Sequence, residues 1–174
     1  MLKGELNYGI RRHYYCCKIM YFIEPVGEKH RSWLEEFFSP EEASKCIAGW
    51  NSYTPTPTDN IIARPSVCYT ESSYVMYRDY WYAQLTGNNW TCFIGGTAIH
   101  PDFRDRGQTV RAIAPYFDKA IFEDPEYHVV EYIGSIPKSI NESIRCPNRH
   151  YELIDGGGDY NLVKVARETY NDYI

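Results

Sequence analysis

The sequence predicts a single domain of α/β (α+β) class, a β-sheet flanked by a small number of helices. Three observations carry that expectation. Apolar patterning along the chain reads strand, two helices, three strands, helix, strand, short helix, two strands. Aromatic residues are used heavily, with 17 Tyr and 4 Trp among 174 residues, a bias that suits pleated strands. Finally, the stretch 91–122, TCFIGGTAIHPDFRDRGQTVRAIAPYFDKAIF, leads from an apolar strand through a polar loop into a helix. In that helix Val110, Ile113, Ala114, Phe117 and Ile121 recur at three- and four-residue steps. A chain of this length can bury a real core as one domain.

Taken in order, residues 1–12 are mixed and polar and read as a loosely attached lead-in. Residues 13–25, HYYCCKIMYFIEP, predict the first strand. Over 28–38, Trp33, Leu34, Phe37 and Phe38 fall at helical spacing. Ser39-Pro40-Glu41-Glu42 opens a second helix, because Ser caps a first turn, Pro fits its first position and acids suit the positive end of the dipole. That helix is expected to reach about Trp50, with Ala43, Ile47 and Trp50 inward. The turn-rich NSYTPTPTDN (51–60) reads as a surface connector. Residues 61–69 form a strand whose Pro65 implies an edge or a bulge.

Residues 74–85 and 90–100 are two arms of a hairpin around Thr86-Gly87-Asn88-Asn89. Gly95-Gly96 in the second arm marks either a bulge with close backbone approach or room for a large neighbouring ring. Pro115 should kink the helix that follows. YHVVEYI (127–133) is a strand ended by Gly134-Ser135-Ile136-Pro137, and 138–150 a short irregular helix. Residues 151–154 and 161–165 are the last strands, around a glycine turn at 155–159 that lacks the Lys-Ser/Thr of a phosphate loop. Residues 166–174 read as a polar, loosely ordered tail.

The net charge of −5, with no long Lys/Arg run, weighs against nucleic-acid binding. It also weighs against an RNA-binding sheet built from Tyr74, Tyr77, Tyr80 and Tyr82. No apolar stretch approaches membrane-spanning length, and the N-terminal residues lack the apolar region of a signal peptide. Six cysteines, none in a C-x-x-C pair, read as reduced core residues of an intracellular, cytoplasmic chain and offer no zinc site.

The loop Arg104-Asp105-Arg106-Gly107-Gln108-Thr109 feeds a helix N-terminus, where unpaired N–H groups and the helix dipole favour an anion. The whole run (strand, Pro101-Asp102-Phe103-Arg104, then Arg-x-x-Gly-x-Thr opening a helix) resembles the central motif of the GCN5-related N-acetyltransferases. Thr109 stands where that family prefers Gly or Ala. The order of elements from Tyr14 to Val165 is similar to the family's as well. The resemblance implies a mixed, mostly antiparallel twisted sheet, flanked by helices and splayed at its central strands. It implies acetyl-CoA as cosubstrate and direct transfer of the acetyl group to an amine of a small molecule or protein. Thr97, Ala98 and Ile99 would then lie along the pantetheine arm, and Arg104, Asp105, Arg106, Gly107, Gln108 and Thr109 around the pyrophosphate, with Asn141 also on the cofactor. Tyr151, in Tyr151-Glu152-Leu153-Ile154-Asp155-Gly156, is similar to the family's Tyr-Glu-Lys-x-Gly-Phe tyrosine, which protonates the leaving thiolate.

Such a reaction needs a base for the amine. Relatives often carry a carboxylate on the strand before the phosphate loop, but TCFIGGTAI has none. Glu131, an acid among Val129, Val130, Tyr132 and Ile133, is the candidate, acting directly or through water; an outward-facing glutamate is the other reading. His100 and His128 are secondary, and Cys146 lacks the histidine arrangement of a nucleophile. A reading from another class is a chain that keeps this fold without catalysis and serves assembly, as a homo-oligomer or in a larger complex. Binding of acetyl-CoA separates the two.

Overall fold

The aromatic and β-branched runs pair into one eight-stranded sheet in the computed structural model, which describes residues 19–48, 55–104, 108–139 and 150–171. The strands are β1 (Phe22–Pro25), β2 (Ile61–Ala63), β3 (Ser66–Tyr69), β4 (Tyr74–Gln84), β5 (Asn89–Ile99), β6 (His128–Pro137), β7 (Glu152–Asp155) and β8 (Tyr160–Ala166). Their order in space is β1-β3-β4-β5-β6-β8-β7, with β2 also paired to β4. Every pair among the described residues is antiparallel except β5–β6, which are parallel because α3 (Gln108–Phe122) carries the chain back between them. Helices α1 (Arg31–Leu34) and α2 (Pro40–Ala48) pack on one face of the sheet and α3 on the other. This is the mixed, mostly antiparallel sheet expected from the sequence.

Strand alternation sorts the side chains into two cores. Tyr80, Tyr82, Trp90 and Cys92 join Ile113, Phe117 and Ile121 of α3, while Val67 and Tyr77 join Trp33, Leu34, Ala43 and Cys46 of the first two helices. His30, fully buried, ties the first helix to the sheet. Its Nδ1 accepts the Gly27 N–H at 2.8 Å, and its Nε2 lies 2.8 Å from Glu24 Oε1 at the end of β1.

Local chemistry decides where the elements stop. Among the described residues β1 begins at Phe22, opposite Tyr69, and leaves 19–21 outside the strand, because β3 offers only four residues to pair with. Residues 13–18 lie outside the described residues. The helix expected over 28–38 divides into a 3-10 turn, Glu28–His30, and the single turn of α1. Pro40 disfavours a helical residue before it and so keeps α1 from running into α2. Ser39 caps α2 as expected: its Oγ accepts the Glu42 N–H at 3.2 Å, and Glu42 Oε2 accepts the Ser39 N–H at 2.9 Å. Ala43 and Cys46 face inward with Ile47 beside them, and Trp50 lies outside the described residues.

Arg64-Pro65 separates β2 from β3, and α3 runs through Pro115 to Phe122. β6 corrects the sequence reading, since it continues through Gly134–Pro137. The Lys138 N–H donates to Asp159 O at 2.8 Å, so alternation turns the nitrogen of Pro137 away from β8 and no ladder bond is lost. The segment after β8 is also fastened. Arg167 donates to the main-chain oxygens of Phe122 and, at 2.6 Å, Val129, while Tyr170 lies on Phe122 and donates to Glu123 Oε1 at 2.7 Å.

Candidate functional site

β5 and β6 form a fork. They pair from Asn89↔His128 to Phe93↔Ile133 and no further. Beyond that point β5 pairs only with β4, out to Met76↔Ile99, and β6 only with β8, out to Pro137↔Tyr160. Gly134 stands at the crotch, where a Cβ would meet Ile94 Cβ and Cδ1 at 3.3 Å. The Ile94 side chain thus fills the space a residue at 134 would need. The expected splay of the central strands is therefore present.

The fork exposes main-chain groups. The His100 N–H donates to Val75 O at 2.9 Å, so in the antiparallel ladder Ala98 also faces β4, and the amides of Thr97 and Ile99 face the opening. Arg104 Nε reaches back to Ile99 O at 2.9 Å. Thr97, Ala98, Ile99 and Arg104 come together in a cleft of about 560 Å³, closed by Pro101 and by Glu36, Phe37 and Phe38 of the turn after α1. Gln108 opens α3 beside it, and Thr109 is buried, with its β-branched side chain directed inward. Asp105, Arg106, Gly107 and Asn141 lie outside the described residues.

Other candidates sit elsewhere. Glu131 is on the closed half of the fork, 3.2 Å from Lys164 Nζ. Tyr151 precedes β7 and packs, half-buried, against the core under α3. His128 opens β6, at the end of the sheet opposite the cleft. His100 lies between the rings of Phe37 and Phe103. Its Nδ1 accepts the Asp102 N–H at 3.1 Å, which leaves Nε2, 3.7 Å from Glu36 Oε2, as the proton-bearing nitrogen of the neutral ring. Cys46, Cys68 and Cys92 are free and buried, and burial pushes the Cys68 thiol up to about 12. Cys16, Cys17 and Cys146 lie outside the described residues.

One acid escaped the sequence reading. Asp79 is buried in the middle of β4, where its Oδ1 accepts the hydroxyl of Tyr77. Opposite it β5 bulges: Arg78 pairs with Thr97 and Tyr80 with Ile94, so Gly95 and Gly96 together face Asp79. A Cβ on Gly95 would stand 3.1 Å from Asp79 Cβ, and one on Gly96 3.1 Å from Asp79 Oδ2. The glycine pair is thus a bulge with close approach, and the group that approaches is a carboxylate. The signal was present in the sequence. Counting back from the Thr86–Asn89 turn sets the lone acid of YVMYRDYWYAQ opposite Gly95.

No protein-family model matches the sequence, and no curated protein matches it. In three dimensions the chain is similar to the N-acetyltransferase PseH of Campylobacter jejuni, at 12% identity and a TM-score of 0.53, over 84% of this chain and 97% of that one. A structure of PseH in complex with acetyl coenzyme A matches at 13% identity and a TM-score of 0.52, over 84% and 99%. The aminoglycoside N(6')-acetyltransferase of Legionella pneumophila matches at 9% identity and a TM-score of 0.55, over 86% and 94%. The chain has the fold of the GCN5-related N-acetyltransferases.

Proposed function

We propose that this chain is an N-acetyltransferase that binds acetyl-CoA in the β5–β6 fork and transfers the acetyl group to a primary amine. The observation that carries this reading is the fork itself, with the amides of Thr97 and Ile99 directed into a gap that ends at Arg104 and the start of α3. An extended amide-bearing arm laid in that gap would meet main-chain partners as another strand would. Its pyrophosphate would reach Arg104 and the loop through 105–107 at the N-terminus of the fifteen-residue α3. The residues present fit the group. When bound, acetyl-CoA supplies an activated acyl carbon; the chain's amides hold its carbonyl and stabilise the charge that develops on that oxygen.

Thermal denaturation with acetyl-CoA tests the reading. A hundredfold excess over Kd stabilises a single site by about 2.7 kcal/mol, a clear rise in Tm. Gly107→Trp, which fills the phosphate loop, is expected to abolish the rise while leaving the unliganded Tm close to wild type. Absence of any shift at millimolar acetyl-CoA would favour the assembly role in its place.

A further inference from the structure

Three features cluster on the sheet face that carries α1 and α2. The first is Asp79, whose side chain lies across Gly95 and Gly96. The second is the fork, which opens immediately beyond those glycines: β6 leaves β5 after Phe93, so the open gap is the next lane of the sheet. Neither glycine places a side chain between the carboxylate and that gap. With strands spaced about 4.8 Å apart, Asp79 Oδ2, already over Gly96, is within one water molecule of a group in the gap. The third is the pair Trp81 and Phe93, one step along the same face on β4 and β5. Their half-buried rings stack with centroids 4.0 Å apart at 13°.

We propose that Asp79 receives the acceptor of the reaction, a primary ammonium on an apolar or aromatic body, and takes its proton across the Gly95-Gly96 bulge, while Trp81 and Phe93 bed the body of that amine. This rests on the acetyltransferase reading above. Asp79 suits the role because the partner on its Oδ1 is a neutral donor. Burial, then the Asp79 charge, pushes the Tyr77 hydroxyl far up, so Tyr77 keeps its proton and donates a hydrogen bond to Asp79 Oδ1. Among the described residues the Cys46 thiol of α2 packs here as well, also pushed up by burial and thus neutral. β5 contributes only glycine, and the Glu131–Lys164 ion pair lies further along the same face, on the closed half.

In the step, an N–H bond of the ammonium breaks and its proton passes to the Asp79 carboxylate, directly or by one water. The freed nitrogen lone pair forms the C–N bond to the acyl carbon of the thioester. The C–S bond breaks with its electrons on sulfur, and the thiolate takes the second proton that nitrogen sheds. Asp79 then returns its proton to solvent.

The test compares wild type, Asp79→Asn and Tyr77→Phe in three measurements: the acetyl-CoA thermal shift, calorimetric binding of benzylammonium to coenzyme A-saturated protein, and thiol release with benzylamine and spermidine. Asp79→Asn is expected to keep the thermal shift, bind benzylammonium at least tenfold more weakly and lose 100-fold or more in kcat, the range of a general base, with the acetyl-CoA KM little changed. Tyr77→Phe removes a hydrogen bond to the charged carboxylate, so it is expected to keep turnover and move the acid limb of the pH–rate profile upward. A merely structural Asp79 would not move that limb. The proposal is overturned if Asp79→Asn turns over and binds benzylammonium like wild type, if Tyr77→Phe leaves the profile in place, or if wild-type protein binds acetyl-CoA but neither amine. In each of those cases a retained thermal shift leaves the acetyltransferase reading standing. Loss of the shift in wild type removes both.

Discussion

The two halves of β5 have the same length of ladder against β4 but opposite surroundings on the other side. From Asn89 to Phe93 the strand is paired on both edges and its inward side chains, Trp90 and Cys92, are buried under α3. From Ile94 to Ile99 it keeps one neighbour, carries two glycines and turns two amides toward a gap. Backbone polar groups need partners, so the first half meets its requirement inside the sheet and the second leaves room for an extended ligand to do so. Stability and binding are thus assigned to adjacent segments of one strand.

The sharpest way to break that contrast is to place the same residue in both halves. Cys92→Pro lies in the doubly paired half, where proline removes a ladder donor and distorts a buried strand; it is expected to cost more than about 3 kcal/mol and leave the chain largely unfolded by circular dichroism. Thr97→Pro removes an N–H that faces the gap and not β4, so the fold should survive while the acetyl-CoA thermal shift falls. Equal damage from both would show that the second half is not an open edge.

A smaller effect is expected at the crotch. Gly134→Val drives a branched side chain against Ile94, an overpacking that costs about 1–3 kcal/mol in urea denaturation. Adding Ile94→Ala should recover part of the loss, and strict additivity of the two changes would exclude the contact as the device that parts the strands.

The smallest effect lies far from the fork. Burial pushes Glu24 up, but hydrogen bonds from Lys29 and His30 outweigh it and hold the carboxyl below its usual range. A carboxyl depressed in the folded state stabilises above its unfolded pKa, and that contribution is lost as the pH falls through the folded one. Glu24→Gln should therefore lower Tm at neutral pH by about a degree or two, a difference that closes as the pH falls through the depressed pKa of the folded state. A gap that persists in acid would mean that packing, not charge, holds β1 to the first helix.

Much of this was legible in the chain. Ser39 and Glu42 announce a cap because a capping box involves four consecutive residues, and Pro65 announces a break because it lacks a donor. The limits of β6 were not legible. Gly134 and Pro137 look like terminators, yet what each faces decides otherwise: Gly134 makes room for Ile94 of β5, and Pro137 turns its missing N–H toward the gap. The glycine pair could be read two ways for the same reason: a bulge depends on what stands opposite, and that is a residue on another strand.

By itself the sequence determined the types of the described strands and of α2 and α3, the hairpin and the α2 cap, since each depends on contacts a few residues long. Tertiary structure decided that β5 and β6 part after Phe93, that Glu131 pairs with Lys164 away from the cleft, and that Asp79 lies over Gly95 and Gly96. These are relations between strands, set by register and packing across the sheet, and no local run of residues carries them.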